Sequence, residues 1–211
     1  MKNKFGTVCM IMGAALLMGA LSLFLHNQHL AARAEQTSVD LLPQLLEKIE
    51  EHRPAAEETQ ATVQPVETPL DFPDPCVIEM TEVEIDGYGY IGCLAIPALN
   101  LELPVMGDWD YTRLNIAPCR YTGTTGGNDL VVMAHNFDKH FGRLRELSEG
   151  DEVVFTDMDG IVNRYRVVGV DVLAPTAVAE MTAGDFDLTL FTCTFGGQSR
   201  VTVYCDRARG G

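Results

Sequence analysis

Basic side chains are scarce in this chain. Its 211 residues include 15 lysines and arginines against 30 aspartates and glutamates, which gives a formal net charge of −15. Proteins that bind nucleic acid neutralise the phosphates with clustered lysine and arginine. We therefore expect no nucleic-acid partner.

The chain also lacks a metal-ligand spacing such as C-x-x-C, and it has no internal repeat. Outside the reducing cytosol, four of its six cysteines are candidates for disulfides or for free thiols: Cys76, Cys93, Cys119 and Cys205. The sequence leaves their pairing open, because spacing alone does not determine connectivity.

The N-terminus is typical of a membrane segment. Lys2 and Lys4 precede an uncharged apolar run of 21 residues, Phe5–Leu25, and about 20 residues span a bilayer core. The positive end is expected to stay in the cytoplasm. A cleavable signal peptide is the alternative, with Ala32-Arg33-Ala34 as its processing site, but the apolar run exceeds the usual ~7–15 residues. We predict an uncleaved anchor over 1–34 with the rest of the chain outside the cell.

Residues 35–75 are acidic and predict a short helix followed by a stalk. Thr37 or Ser38 would cap the helix, and Pro43 is tolerable only near its first turn. Leucines and an isoleucine recur at helical spacing and would pack on the following domain or on a partner: Leu41, Leu42, Leu45, Leu46 and Ile49. Residues 54–75 hold five prolines among Glu, Thr and Ala, a composition that does not fold alone. We interpret this segment as a stalk that lifts the domain off the membrane.

The remaining residues, 76–211, predict a β-rich domain with short strands separated by glycine. Asp159-Gly160 is a strong hairpin signal, and one or more helical turns are expected within Phe137–Leu147. The predicted strands are Tyr88–Ile96, Leu101–Met106, Leu130–Ala134, Val153–Asp157, Val162–Leu173, Thr189–Cys193 and Val201–Cys205. This mostly-β pattern with short helices predicts a small closed β-barrel.

Three side chains in this domain carry the chemistry of acyl transfer. Cys193 ends the run Thr189-Leu190-Phe191-Thr192, His135 follows a buried strand 58 residues earlier, and Arg200 lies seven residues after the cysteine. A thiol is an intrinsically strong nucleophile, and a neighbouring base or cation raises its thiolate fraction. Taken alone, Cys193 would be interpreted as a buried structural thiol. The combination instead favours an enzyme that forms an acyl intermediate.

The residues Thr-Leu-Phe-Thr-Cys resemble the TLxTC signature of the sortases, the cell-surface cysteine transpeptidases of Gram-positive bacteria. The order His135, Cys193, Arg200 is similar to that family, and so are His135-Asn136 and Gly150-Asp151-Glu152-Val153 with the residues between them. The resemblance covers roughly residues 87–207. It implies the sortase β-barrel, which agrees with the strand pattern above.

The resemblance implies roles for the site residues. Cys193 attacks a threonine carbonyl in an LPxTG-like C-terminal sorting signal, and His135 moves the protons of the leaving and incoming amines. Arg200 holds the developing oxyanion, and Thr192 helps at the same oxyanion. The expected partners are surface proteins that bear the sorting signal and an amine of a peptidoglycan precursor or a pilin, with the domain held at the cell membrane.

His140 and Arg207 are alternative candidates for the roles of His135 and Arg200, and the sequence favours neither of them. His140 lies among charged residues and is predicted to be a solvated loop residue, so the family pattern selects His135. Arg207 follows Asp206 near the terminus, which predicts a surface role.

Subclass and metal content are less determined. The stretch between Leu173 and Leu188 is too short for the long inserted helix of class B sortases. The sequence shows no second membrane segment of the kind usual in the pilin-polymerising class C sortases. A housekeeping-type or class D-like enzyme is therefore favoured. No cofactor is predicted. A calcium site, as in some class A sortases, is a weak prediction, because solvated carboxylates are the commoner case. Its candidate ligands are Glu102, Asp108, Asp110, Asp185 and Asp187.

Two other classes of protein stay open. A cysteine hydrolase would use the same thiol and histidine and let water resolve the acyl-enzyme. A non-catalytic, membrane-tethered β-domain would keep Cys193 as a buried thiol, and Cys193→Ala would then alter only stability.

Overall fold

The structure is a computed structural model that describes the backbone of residues 2–60 and 79–208. Most of the predicted stalk, together with Cys76, lies outside the described residues, so those predictions stay untested.

The described part of the domain is a closed β-barrel. Its sheet has the order β1-β2-β3-β4-β5-β8-β9-β7-β6, and a further pairing between β2 and β6 closes eight strands into a ring. The strands are β1 (Val83–Ile85), β2 (Tyr88–Ile96), β3 (Leu101–Met106), β4 (Cys119–Thr122), β5 (Leu130–Ala134), β6 (Glu152–Asp157), β7 (Val162–Leu173), β8 (Leu188–Cys193) and β9 (Arg200–Arg207). The predicted mostly-β barrel is confirmed.

Side chains that alternate between the inner and outer faces of the strands fill the barrel interior. Along β6 every second side chain is buried, and β7 alternates in the same way over its first half, as expected for strands with one face in a core and one in solvent. The interior is lined by aliphatic side chains with a few aromatic ones, among them Leu94, Leu130, Phe155, Leu190 and Val203. The inward and outward positions of each strand are therefore fixed, which decides where the site residues lie.

Within residues 79–208 the helical elements are short. They are α2 (Tyr111–Leu114) and α3 (Val178–Met181), with 3-10 turns at Pro97–Leu99, Leu144–Glu146 and Phe195–Gly197. The Leu144–Glu146 turn lies inside the predicted Phe137–Leu147 segment.

A single helix of 59 residues, α1 (Lys2–Gln60), precedes the barrel. This corrects the prediction of a separate short helix: Pro43 lies in the helix interior, and the Thr37 hydroxyl donates to the Arg33 carbonyl at 2.8 Å instead of capping an N-terminus. Proline removes one helical hydrogen bond, but burial of the leucine stripe compensates, since a fully buried leucine contributes about 1.5–3 kcal/mol.

The stripe packs on the outside of the barrel. Leu41, Leu45 and Ile49 are buried in a second apolar cluster with side chains of β2 to β4, including Tyr90 and Met106. The first part of α1 differs, because its most apolar window has a mean hydropathy of 2.4 and is not buried against the rest of the protein. By length and composition this part can cross a membrane.

Candidate active site

The register of three adjacent strands brings the predicted site residues together. β5 and β8 are parallel, with Ala134 opposite Thr192. His135 directly follows Ala134, and Cys193 directly follows Thr192, so these two residues lie side by side at the ends of the two strands. β8 and β9 are antiparallel, and Cys193 is directly opposite Arg200. Neighbouring strands lie ~4.8 Å apart. The imidazole, the thiol and the guanidinium therefore extend from one edge of the barrel.

Alternation along the strands puts these three residues on the outer face. Leu130, Val132 and Ala134 of β5 belong to the interior cluster, as do Leu188 and Leu190 of β8. Val201 and Val203 do so on β9. His135, Cys193 and Arg200 occupy the complementary positions and are partly exposed.

Thr192 lies on the inner face, which differs from its predicted place at the oxyanion. Its side chain is 2% exposed, and its hydroxyl donates to the Ala134 carbonyl at 2.8 Å. This bond joins β5 to β8 one residue before His135 and Cys193. Thr192 therefore holds the two strand ends in register, and its hydroxyl is not directed to the face of the thiol.

Burial determines the protonation of His135. Its half-buried position lowers the pKa of the imidazole below the usual 6.5, because desolvation disfavours the charged form. The ring is therefore mostly neutral near pH 7. A neutral imidazole can accept the proton that a thiol releases when it becomes a nucleophile.

A tight turn presents Arg200. The Thr194 amide donates to the Ser199 carbonyl at 2.9 Å, and Gly196 and Gly197 have φ of 79° and 71°, which favours glycine at both positions. This turn explains how Arg200 reaches the position opposite Cys193 only seven positions later in the sequence. The guanidinium makes long contacts to the Ser199 and Gly197 carbonyls, 3.3 and 3.4 Å, and forms no ion pair with a carboxylate of the described residues. Its donors are available to a ligand.

His140 is fully buried, so its prediction as a solvated residue is wrong. The backbone turns back after His135, with the Phe141 amide donating to the His135 carbonyl at 3.1 Å. The His140 ring lies 5.7 Å from the Phe137 ring, which lies 5.0 Å from the His135 ring. Burial lowers the pKa of His140 to about 4, and neither ring nitrogen has a hydrogen-bond partner. His140 is a neutral ring behind the candidate base.

Arg207 is a structural residue and not a surface one. Its guanidinium donates to the Thr125 carbonyl at 2.8 Å and to Asn163 Oδ1 at 2.7 Å, and it lies 5.5 Å from the centre of the Tyr165 ring. These contacts join β7 and β9 to the loop between β4 and β5. Arg200 therefore has no rival from Arg207 near the thiol.

Apolar side chains line the outer face beside Cys193. Phe191, two residues before the cysteine, packs with Val131 of β5 and with Met181 of α3. Tyr121 contacts Phe191 edge-to-face at 5.4 Å, and Trp109 lies 5.6 Å from Tyr121. The spacing around Cys193 gave no signal for Tyr121 and Trp109, because these aromatic side chains are far from the cysteine in sequence.

Two of the candidate calcium ligands are engaged in other hydrogen bonds, and three of the candidate disulfide cysteines are buried as free thiols. Among residues 2–60 and 79–208, no group of three or more His, Cys, Asp or Glu could hold a metal ion. Asp110 accepts the Thr112 and Arg113 amides, and Asp187 accepts the Arg207 amide. Burial raises the pKa of the thiols of three free cysteines to about 12, which makes them poor nucleophiles: Cys93, Cys119 and Cys205.

A protein-family model described as the sortase domain matches residues 94–208, more than half of the chain. This chain belongs to the sortase family. Sortases are cysteine transpeptidases that anchor or polymerise surface proteins. The match contains β5, β8 and β9, the three strands that carry the candidate site.

A curated relative in the family is "Sortase A" of Bacillus anthracis, 28% identical in an alignment of 131 residues that covers 59% of this chain. The aligned part spans 60% of that relative's length, so its activity is carried over here only as a proposal.

Solved sortase structures share the fold. The Clostridium perfringens Sortase D5 transpeptidase has a TM-score of 0.59 at 16% identity, and the alignment covers 84% of this chain and 99% of that chain. The Streptococcus pneumoniae sortase C has a TM-score of 0.52 at 21% identity, and the alignment covers 83% of this chain and 97% of that chain. Identities this low show the fold alone, and the favoured housekeeping-type or class D-like subclass stays a prediction.

Proposed function

We propose that this sortase-family chain is a membrane-anchored cysteine transpeptidase that cleaves an LPxTG-like sorting signal through a thioester on Cys193. The observation that carries the proposal is the strand register, which makes Cys193 the neighbour of His135 on one side and of Arg200 on the other. A non-catalytic domain has no need for a partly exposed thiol between an unpaired guanidinium and an imidazole.

The first half of the reaction forms the thioester. His135 takes the thiol proton while Cys193 Sγ bonds to the threonine carbonyl carbon, and Arg200 donates hydrogen bonds to the oxygen that gains negative charge. The carbon–nitrogen bond of the peptide then breaks. The imidazolium returns its proton to the leaving amine, and the acyl group stays on sulfur.

The second half reverses these steps with a different amine. The incoming amine, from a peptidoglycan precursor or a pilin, loses a proton to neutral His135 as its nitrogen bonds to the acyl carbon. The carbon–sulfur bond breaks and Cys193 leaves as a thiolate, which regains the proton. Thr192 acts here as a positioning residue, since its hydrogen bond to Ala134 sets the spacing of the thiol and the imidazole.

The N-terminal part of α1 supports the membrane localisation. Its apolar segment is long enough to span a bilayer, and Lys2 and Lys4 before it favour a cytoplasmic N-terminus. The catalytic barrel would then lie outside the cell, where surface proteins with a sorting signal and cell-wall amines are found.

The test uses the full-length chain in detergent micelles with LPxTG-like peptides and increasing concentrations of oligoglycine or a diaminopimelate-type amine. Mass spectrometry should find ligated product that rises with the amine, at the expense of the hydrolysed peptide. Cys193→Ala should abolish both products, whereas Cys119→Ala, which removes a buried thiol, should retain them. Cleavage that is indifferent to the amine would indicate the hydrolase, and activity in Cys193→Ala would refute the proposed nucleophile.

A further inference from the structure

Helix α1 passes the candidate active site immediately after the apolar segment. Asn27, Gln28 and Glu35 of α1 line a cavity of about 300 Å³ whose opposite wall is the loop Asn136–Lys139, which we call the histidine loop. Ala34 is 1% exposed, whereas the side chains from Gly6 to His29 are exposed. The barrel therefore begins to cover α1 just after the predicted membrane segment ends.

The length of α1 gives the distance of this loop from the end of the apolar run. With a rise of 1.5 Å per residue, Gln28 lies ~4.5 Å and Glu35 ~15 Å beyond Leu25, the last residue of the apolar run. Glu35 pairs with Lys139 at 3.3 Å. The pair is exposed and contributes little energy, but it marks the contact. Phe137 of the same loop lies 5.0 Å from the His135 ring.

The other end of the barrel lies far along the same helix. At the turn between β6 and β7, a Cβ on Gly160 would be 3.2 Å from Arg53 Cγ. Arg53 is ~27 Å beyond Glu35 by the same rise. Between these two contacts, buried Leu41, Leu45 and Ile49 hold α1 against the barrel. Because the contacts are spread along the helix, the barrel cannot pivot relative to α1.

We propose that α1 holds the barrel directly on the outer surface of the bilayer, with the histidine loop facing the phospholipid head groups and the Gly160 turn directed away. This rests on the membrane anchor of the proposed function. The head-group layer is ~5–7 Å thick on each side of the core, so the loop lies within it or one to two helical turns above it. Residues 61–78 follow the packed part of α1 in sequence and do not separate it from the membrane segment, so under this proposal they are not a stalk that lifts the barrel off the membrane.

The orientation has a consequence for the substrate. A site this close to the bilayer meets sorting signals and acceptors that are themselves held at the membrane surface, and it is poorly placed for amines deep in the wall.

The test measures depth and needs no catalysis. A fluorescent amino acid is incorporated at Asp138 or, as the matched control, at Ile161, both exposed, in the full chain in phosphatidylcholine nanodiscs with a head-group nitroxide quencher. This label leaves Cys193 unmodified. We expect quenching several-fold stronger at position 138 than at 161. Ten Gly-Ser residues inserted between His26 and Asn27 leave the packing on the barrel intact and should reduce quenching at 138 to the level at 161.

Equal quenching at the two positions, or no effect of the insertion, would overturn the orientation while leaving the chemistry intact. A chain that does not associate with nanodiscs would refute the anchor and the orientation together. The transpeptidation assay in micelles reports separately on the catalytic residues, so the two failures are distinguishable.

Discussion

The buried histidine next to the candidate base provides a quantitative prediction. His140 is 0% exposed, and burial lowers its pKa to about 4, against about 6.5 in the unfolded chain. Between these values the unfolded state binds more protons than the folded state. The contribution to stability is therefore complete above pH 6.5 and is lost progressively as the pH falls toward 4.

The size of the loss follows from the difference in pKa. Each unit corresponds to about 1.4 kcal/mol, so the full difference costs about 3 kcal/mol below pH 4, and about 2 kcal/mol of it is lost on going from pH 7.5 to pH 5.0. His140→Phe keeps a ring of similar size and removes the titration. The variant should lose about 2 kcal/mol less than the wild-type chain between these two pH values.

Urea unfolding at pH 7.5 and 5.0, followed by the fluorescence of Trp109, the single tryptophan, measures both chains. Carboxylates and His135 titrate in both, so their effects cancel in the difference. If the free energy of unfolding of the two chains fell equally on acidification, His140 would not be a buried neutral ring, and the packing derived for the histidine loop would be wrong.

The remaining predictions separate structural from catalytic residues. Arg207→Leu should lower the free energy of unfolding by about 2–3 kcal/mol, because the buried acceptors lose a charged donor. Arg200→Leu should change the free energy of unfolding by no more than about 0.5 kcal/mol and should reduce kcat by ~10²–10³-fold. Denaturation and steady-state kinetics of both variants test this contrast, and the reverse pattern would exchange the roles of the two arginines. Thr192→Val should cost about 1–3 kcal/mol, because it leaves the buried Ala134 carbonyl without its donor, and should lower kcat with little change in KM; an unchanged kcat would remove its positioning role. Leu45→Ala should cost about 2–5 kcal/mol in calorimetric stability, and a cost near zero would mean that α1 is not packed on the barrel.

Strands made of nearly continuous apolar residues could be predicted from the sequence. The predicted limits of β2, β3 and β5 agree with the structure, where most of their residues are buried, because such runs between turn residues are typical of buried strands. Strands and helices of three or four residues, such as β1, β4, α2 and α3, were missed, since so short a segment shows hardly one period.

The candidate site residues could be selected from the sequence, but their surroundings could not. His135, Cys193 and Arg200 were selected by spacing and resemblance, and the register brings them together. The predicted exposures of His140 and Arg207 were wrong, because a reversal of the chain buries His140 and because the Thr125 carbonyl and Asn163 Oδ1 bind the Arg207 guanidinium. Helix α1 continues through Pro43 because tertiary packing outweighs local propensity.

The central claim is that Cys193 carries the acyl group. The direct measurement mixes the full-length chain with a sorting-signal peptide in the absence of an amine, quenches with acid and determines the intact mass, followed by peptide mapping. The account predicts an acyl adduct on Cys193 that disappears when an amine is added before the quench. An active chain whose adduct maps to another residue, or that forms product without any adduct, would contradict it.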